Sequence, residues 1–264
     1  MTAVGVVVHD GKDEAGEVAT RLEKLARDRG LDVVRLHEDV PEGLDVVLGV
    51  GGDGTVLRAA RLAWSRGLPV AGINVGRVGY LAEFEVEELD ALVAAIADDR
   101  AYTFERMTVQ VHFPGGSATG LNDVVVEKVI SERIIEIGVT INGERFARYA
   151  TDGIIVATPV GSTAYSLSAG GPVVDPALDV LIMTPVAPHS LLSRSLVLSA
   201  DAVIEVSVEI DRQASVNVDG RRVATVDPGE SVSISRGDEV VRFLTLESHP
   251  FPAAVRHQFG LDHA

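Results

Sequence analysis

The sequence predicts an α/β N-terminal domain built on a parallel sheet, joined to a mostly antiparallel, sandwich-like β domain. Short valine-rich runs alternate with amphipathic helical patterns as far as about residue 100. Beyond that point period-two alternation takes over. The pairs Asn142-Gly143 and Asp219-Gly220 fall between such runs and read as tight hairpin turns.

In chain order, residues 3–9 read as a buried strand, and Asp13 to Arg29 as a helix stopped by Gly30. Leu31 to Leu36 and Leu44 to Val50 are further strands. Helical periodicity runs from Thr55 to Trp64 and stops near Gly67, before a strand from Leu68 to Asn74. A helix from Val86 to Asp98 closes this section, taken as residues 1–100. In the β-rich section, residues 101–236, strands are expected at Tyr102 to Phe113, Gly120 to Val129, Ile134 to Ile141, Ala202 to Ile210 and Ala214 to Val218. The remainder, 237–264, ends in a helical pattern, Ala253 to Phe259, expected to pack back on the first section.

Composition narrows the function classes. With 46% hydrophobic and 23% charged residues the chain is globular, and without cysteine it has neither disulfides nor a thiolate metal site. Residues 1–10 lack the basic flank and long apolar core of a secretory signal, and no apolar run approaches about 18 residues. A cytoplasmic location is expected. A net charge of −16 argues against a nucleic-acid surface and against attraction to anionic membranes. Only three of the 23 basic residues are lysines, Lys12, Lys24 and Lys128. A salt-rich cytoplasm and a biased genome composition both account for that pattern.

The most informative segment is Gly51-Gly52-Asp53-Gly54-Thr55, between the apolar run Asp45 to Val50 and the helix that follows. Glycines at a strand-to-helix turn let the backbone approach a ligand, and the free N–H groups at the helix start suit phosphate. An aspartate would repel phosphate there unless it has a specific task, such as accepting a hydroxyl proton, bonding a sugar hydroxyl or holding Mg²⁺. Asp53 is therefore the candidate catalytic residue, although a helix cap has the same composition. Gly49 to Gly54 also fits the dinucleotide spacing G-x-G-x-x-G, but about 20 residues on, where a ribose-binding acid belongs, stands Asn74. No G-K-[ST] follows any glycine loop, which excludes a P-loop. A second cluster, Thr151 to Ser166, is dense in small hydroxyl residues. Gly161 to Ser168 can open a helix there, with Tyr165 free to stack on a base, although such runs are also ordinary turns.

Together these segments resemble the NAD kinase family. The matching pieces are GGDGT at 51–55, Gly76-Arg77-Val78-Gly79-Tyr80-Leu81, the Asn122-Asp123 pair, the DG…TPxGSTAYSLSAGGP block from Asp152 to Pro172, and Pro188-His189-Ser190. The resemblance implies an ATP-dependent, Mg²⁺-requiring kinase of the 2′-hydroxyl of the adenosine ribose of NAD. It also implies an active site between two domains and a homo-oligomer, a dimer or tetramer; some relatives use polyphosphate as donor.

By resemblance, Asp53 is the proton acceptor, and Gly51, Gly52, Gly54 and Thr55 admit the donor phosphates. Arg58, one turn on, faces those phosphates or forms an exposed salt bridge. Asn122 contacts the adenine edge and Asp123 the ribose hydroxyls. Asp152 contacts the nicotinamide end, and Thr163, Ala164, Tyr165, Ser166, Leu167 and Ser168 bind the dinucleotide. Arg133 falls at another position lining the site. Arg221 stands where many relatives carry glutamine, which puts that contact in doubt. His189 orders a loop rather than titrating in catalysis. Two rivals share part of the pattern. A lipid or sphingoid kinase would carry the glycine loop without the TPxGSTAYSLSAGGP block, and a non-catalytic dinucleotide sensor would have no need of Asp53.

Overall fold

The computed structural model describes residues 2–76, 79–130, 133–189, 192–209, 212–246 and 251–261. Arg77, Val78 and Ser190 of the motifs, and Ile210 at the end of an expected strand, lie outside the described residues. The chain forms two compact units, residues 1–105 with 241–264, and residues 106–240.

The order begins β1 (Ala3–Val8), α1 (Asp13–Asp28), β2 (Asp32–Arg35), β3 (Val46–Gly51), α2 (Asp53–Trp64), β4 (Val70–Asn74) and α3 (Leu89–Ala97). It continues with β5 (Tyr102–Phe113), β6 (Gly116–Gly120), β7 (Asp123–Lys128), β8 (Ile135–Ile141), β9 (Glu144–Thr151), β10 (Gly153–Ala157) and the single helical turn α4 (Tyr165–Ser168). It ends with β11 (Val180–Val186), β12 (Leu196–Ser199), β13 (Ile204–Val208), β14 (Ala214–Val218), β15 (Arg221–Val226), β16 (Ser231–Thr245) and α5 (Phe251–Gln258).

In the first unit β2, β1, β3 and β4 pair in that order, all parallel, and Phe243 of β16 pairs parallel with Val70. Val46, Leu48 and Val50 of β3 point into a core with the apolar stripes of α1 (Ala15, Val18, Ala19, Leu22, Ala26) and α3 (Leu89, Leu92, Val93, Ile96). The alternate residue Gly49 lies under Val56 and Ala59 of α2, so helices cover both faces of the sheet. α1 closes as its sequence predicts: Gly30 has φ +77°, and Gly30 and Leu31 donate back to Arg27 and Ala26 at 3.0 Å each. α2 starts two residues before the expected Thr55, because Gly52 takes the cap position. The helix expected from Val86 opens as a 3₁₀ turn, Val86–Glu88, capped reciprocally by Glu85 and Glu88.

In the second unit the strands β12, β11, β10, β7, β14 and β15 form one antiparallel sheet. β16, β13, β8 and β9 pair antiparallel in a second sheet, beside the β5–β6 hairpin. The two share a core that includes Val109, Val124, Val126, Ile137, Ile154, Leu181, Val206, Val216 and Ile234, which makes this unit a sandwich. Both hairpin signals hold, with Asn142 and Gly143 at φ 52° and 79° and Asp219 and Gly220 at 48° and 72°. The strand expected over Gly120 to Val129 is interrupted, since β6 ends at Gly120 and β7 starts at Asp123. The Asp219 carboxylate causes the break: it accepts the N–H groups of Leu121, Asn122 and Asp123, which a continuous ladder would otherwise use. No described helix is long and apolar enough to cross a membrane.

Candidate active site

In the first unit the carboxyl ends of β3 and β4 present the glycine loop and the segment that follows Asn74. Asp53 opens α2 but does not cap it; Gly52 is the cap residue, without a side-chain bond. The Asp53 carboxylate instead accepts the backbone N–H groups of Tyr80 and Leu81, each at 3.0 Å. Gly79 is what permits this seat, because a Cβ there would collide with Asp53 Oδ1. A Cβ at Gly52 or Gly54 would meet nothing within 4 Å, so the loop leaves open space over its exposed backbone. Thr55 is buried and donates its N–H to Gly52 O. Arg58 donates to Asp10 Oδ2 at 2.7 Å and to Val8 O at 2.6 Å, which ties α2 to the end of β1. Of the two expectations for Arg58, the structure displays the ion pair, and it holds the Asp10 carboxyl below its ordinary range. Tyr80 also packs edge-on against Phe259, with ring centroids 6.3 Å apart.

In the second unit the expected residue Asp123 lies on the face of the six-stranded sheet away from the sandwich core. Alternation along β7 places Asp123, Val125 and Glu127 on that face, and Ile155 and Ala157 of β10 share it. The TPVGST segment crosses there: Thr158 donates its N–H to Asn122 O and its hydroxyl to Leu121 O, at 2.9 and 2.6 Å. Gly161 sits against the Asn122 carbonyl so closely that a Cβ would overlap it. The expected helix over Gly161 to Ser168 is two separate turns, Val160–Thr163 and Tyr165–Ser168, broken at Ala164 with ψ −131°. Thr163 bonds back to Val160 O and closes the first turn on itself.

The structure divides the residues expected from 163 to 168. Tyr165 and Ser168 are exposed, Thr163, Ala164 and Leu167 are half-buried, and Ser166 is buried. Ser166 Oγ lies 3.0 Å from Thr184 Oγ1, which donates in turn to Ser195 Oγ at 2.9 Å, so Ser166 anchors the turn. Asp152 is paired with Lys128 at 2.6 Å. Arg133 and Lys128 line a cavity of about 250 Å³ with Ile130, Ile135 and Arg212. Arg221 is exposed at the start of β15.

Electrostatics mark the same face. Burial, and then the nearby Asp219, push the Asp123 carboxyl up to about 7. Burial and then Asp152 raise Glu127, with Lys128 opposing. The Tyr165 phenol is raised by burial and by Glu127, Asp152 and Asp123 in turn. Glu127, Lys128 and Asp219 were not anticipated from sequence. The one available signal was Lys128, a rare lysine at the end of the strand that Asp123 opens.

The chain thus carries a carboxylate fixed at a glycine-rich strand-to-helix turn and, in its second unit, a sheet face bearing Asp123 and Glu127; the comparisons place it among nucleotide-dependent phosphotransferases. The profile of the ATP-NAD kinase N-terminal domain matches residues 33–101, and that of the ATP-NAD kinase C-terminal domain matches residues 121–246. The NAD kinase of Mycobacterium tuberculosis (strain CDC 1551 / Oshkosh) is 35% identical over 99% of this chain and 97% of its own length. That of Heliobacterium modesticaldum is 38% identical over 98% of both. Among solved structures, an NAD kinase from Archaeoglobus fulgidus in complex with ATP superposes with a TM-score of 0.81 at 30% identity, covering 98% of each chain. Yeast NADH kinase complexed with NADH has a TM-score of 0.89 at 20% identity, covering all of this chain and 89% of the other, a likeness of fold. The chain belongs to the NAD kinase family.

Proposed function

We propose that this protein transfers the terminal phosphoryl group of ATP to the 2′-hydroxyl of the adenosine ribose of NAD, forming NADP. The observation that carries the reading is the seat of Asp53. A carboxylate that merely capped α2 would bond the helix's own first N–H groups. This one is held from outside the helix by Tyr80 and Leu81, which fixes its direction. Phosphoryl transfer depends on positioning and charge more than on covalent help, and a fixed acceptor for the ribose proton is what it needs from a side chain.

Asp53 accepts the 2′-hydroxyl proton, and the open backbone of Gly52 and Gly54 with the N-terminus of α2 receives the donor phosphates, while Gly51, packed against Thr55 and His9, shapes the turn beneath them. Asn122 and Asp123 bind the adenosine, and Tyr165 and Asp152 the far end of the dinucleotide. The first unit thus acts as the nucleotide-binding domain and the second as the NAD-binding domain. Among the described residues no three acidic or histidine side chains gather to hold a cation. Mg²⁺ suits this donor set as part of the ATP complex, since it takes phosphate oxygens and water with one or two carboxylates. A cytoplasmic homo-oligomer is the setting the family resemblance implies.

The test is to incubate the purified protein with NAD, ATP and Mg²⁺ and identify the product by mass and by its response to an NADP-specific dehydrogenase. A parallel arm with polyphosphate decides the donor. Absence of NADP with both donors refutes the reading.

A further inference from the structure

A triphosphate settling on the glycine loop meets the Asp53 carboxylate in a chain of net charge −16. Phosphoryl transfer depends on positioning and charge neutralisation, so protein cations have a task there. Arg58 is the basic residue nearest the loop in sequence, but its guanidinium is engaged with Asp10 Oδ2 and Val8 O. Another cation comes from the turn after β1. Gly11, at φ +84° in the left-handed region open to glycine, sets Lys12 at the start of α1 with its side chain exposed.

The Lys12 ammonium lies 3.7 Å from the point where a Cβ on Gly76 would stand. Lys12 follows β1 and Gly76 follows β4, and β3 lies between those two strands in the sheet. His9 N–H bonds Val50 O from one side and Val75 N–H bonds Gly51 O from the other, at 3.0 and 3.3 Å. The lysine side chain therefore spans the carboxyl end of β3, where the glycine loop begins. Its ammonium makes no hydrogen bond or ion pair with any described residue, since Asp10 is held by Arg58. It is also one of only three lysines among 23 basic residues. An ammonium on a flexible stem follows a phosphate as a point charge, whereas a guanidinium demands a planar, two-toothed partner.

We infer that Lys12 binds the terminal phosphates of the donor and holds positive charge over the glycine loop while the phosphoryl group moves. The inference rests on the reading of that loop as the donor site. In the step, the γ-phosphorus bonds to the ribose 2′-oxygen, and the bridging oxygen leaves with the bonding pair as ADP. The ribose proton passes to Asp53. Lys12 keeps its own proton throughout and acts as a fixed charge.

The experiment compares the full-length protein with Lys12→Arg, Lys12→Met and Lys12→Glu in steady-state turnover, and in calorimetry with ATP, ADP and NAD in the presence of Mg²⁺. Melting curves verify folding, which an exposed side chain should leave unchanged. In Lys12→Met, kcat/KM for ATP should fall on the order of tenfold or more, in Lys12→Glu further, and Lys12→Arg should retain most of it. ATP affinity should fall more than ADP affinity, and NAD affinity should hold. Potassium chloride should raise KM for ATP more steeply in the wild type than in Lys12→Met, because an exposed charge is screened. Wild-type ATP affinity and kcat/KM in both Lys12→Met and Lys12→Glu overturn the inference, as does an equal loss of ATP and NAD binding. A wild type that forms no NADP from ATP or polyphosphate instead removes the reading beneath it.

Discussion

Replacing Asp53 with asparagine separates chemistry from architecture. The carboxylate uses both oxygens, one on Tyr80 N–H and one on Leu81 N–H, each at 3.0 Å. Asparagine keeps a single acceptor, so one N–H must face an amide NH₂. Losing one hydrogen bond to a charged group costs about 1.5–3 kcal/mol, which should appear as a lower melting temperature. The catalytic loss is separate: removing a general base lowers kcat by about 10²–10⁴, while NAD affinity should be largely kept. Gly79→Ala provides the converse perturbation. Its Cβ would displace Asp53 Oδ1 without removing the carboxylate, so kcat should fall there as well. Steady-state turnover, NAD calorimetry and thermal melts on both variants form the assay. Near-wild-type kcat in Asp53→Asn, whatever its stability, refutes the assignment of Asp53 as proton acceptor.

Asn122→Ala and Asp123→Ala should each raise KM for NAD more than KM for ATP; unchanged NAD binding in calorimetry removes the pair from the site. Asp123, pushed up to about 7, holds its proton more tightly folded than unfolded, so its contribution to stability declines as pH rises from about 4 to about 7. Asp123→Asn abolishes that titration and should gain more in melting temperature over wild type at pH 8 than at pH 5; an equal difference at both contradicts the burial argument. The −16 net charge predicts a higher melting temperature in about 1 M potassium chloride than in dilute buffer, because screening at that strength shortens the Debye length to roughly 3 Å. No rise would favour genome composition as the source of the acidity. The Tyr149 hydroxyl is buried in the sandwich core without a partner among the described residues, so Tyr149→Phe should stabilise by about 1 kcal/mol or more, read by chemical denaturation.

What the sequence made legible was local. The α1 stripe, the Gly30 stop and the two turns with paired positive φ follow from residue types within one turn of each other. β9 escaped because Glu144-Arg145-Phe146-Ala147-Arg148 is largely solvent-exposed and carries no apolar alternation. β16 escaped because Gly237 and Asp238 read as a break in what is a 15-residue strand. At the site, the residue types at Asp53, Asn122 and Asp123 pointed to the chemistry, but their partners did not show. Asp53 is held by groups 27 and 28 positions on, and no spacing rule reaches so far. Glu127 looked like an ordinary polar strand residue, and only its pairing with Gly153 next to Asp152 reveals the charge it shares.

Asp219 joins a turn late in the chain to the start of β7, across sequence separations of 96 to 98 residues. Until the β14–β15 turn is made, the N–H groups of Leu121, Asn122 and Asp123 lack their acceptor in the fold, and the backbone at Asn122 and Asp123 is undefined. Closing a loop of that length is entropically slow compared with forming a helix or a local hairpin. During refolding, helical signal should therefore return well before the ability to capture NAD. On the ribosome the same order holds, since a nascent chain must extend past Asp219 before Asn122 and Asp123 can take their places.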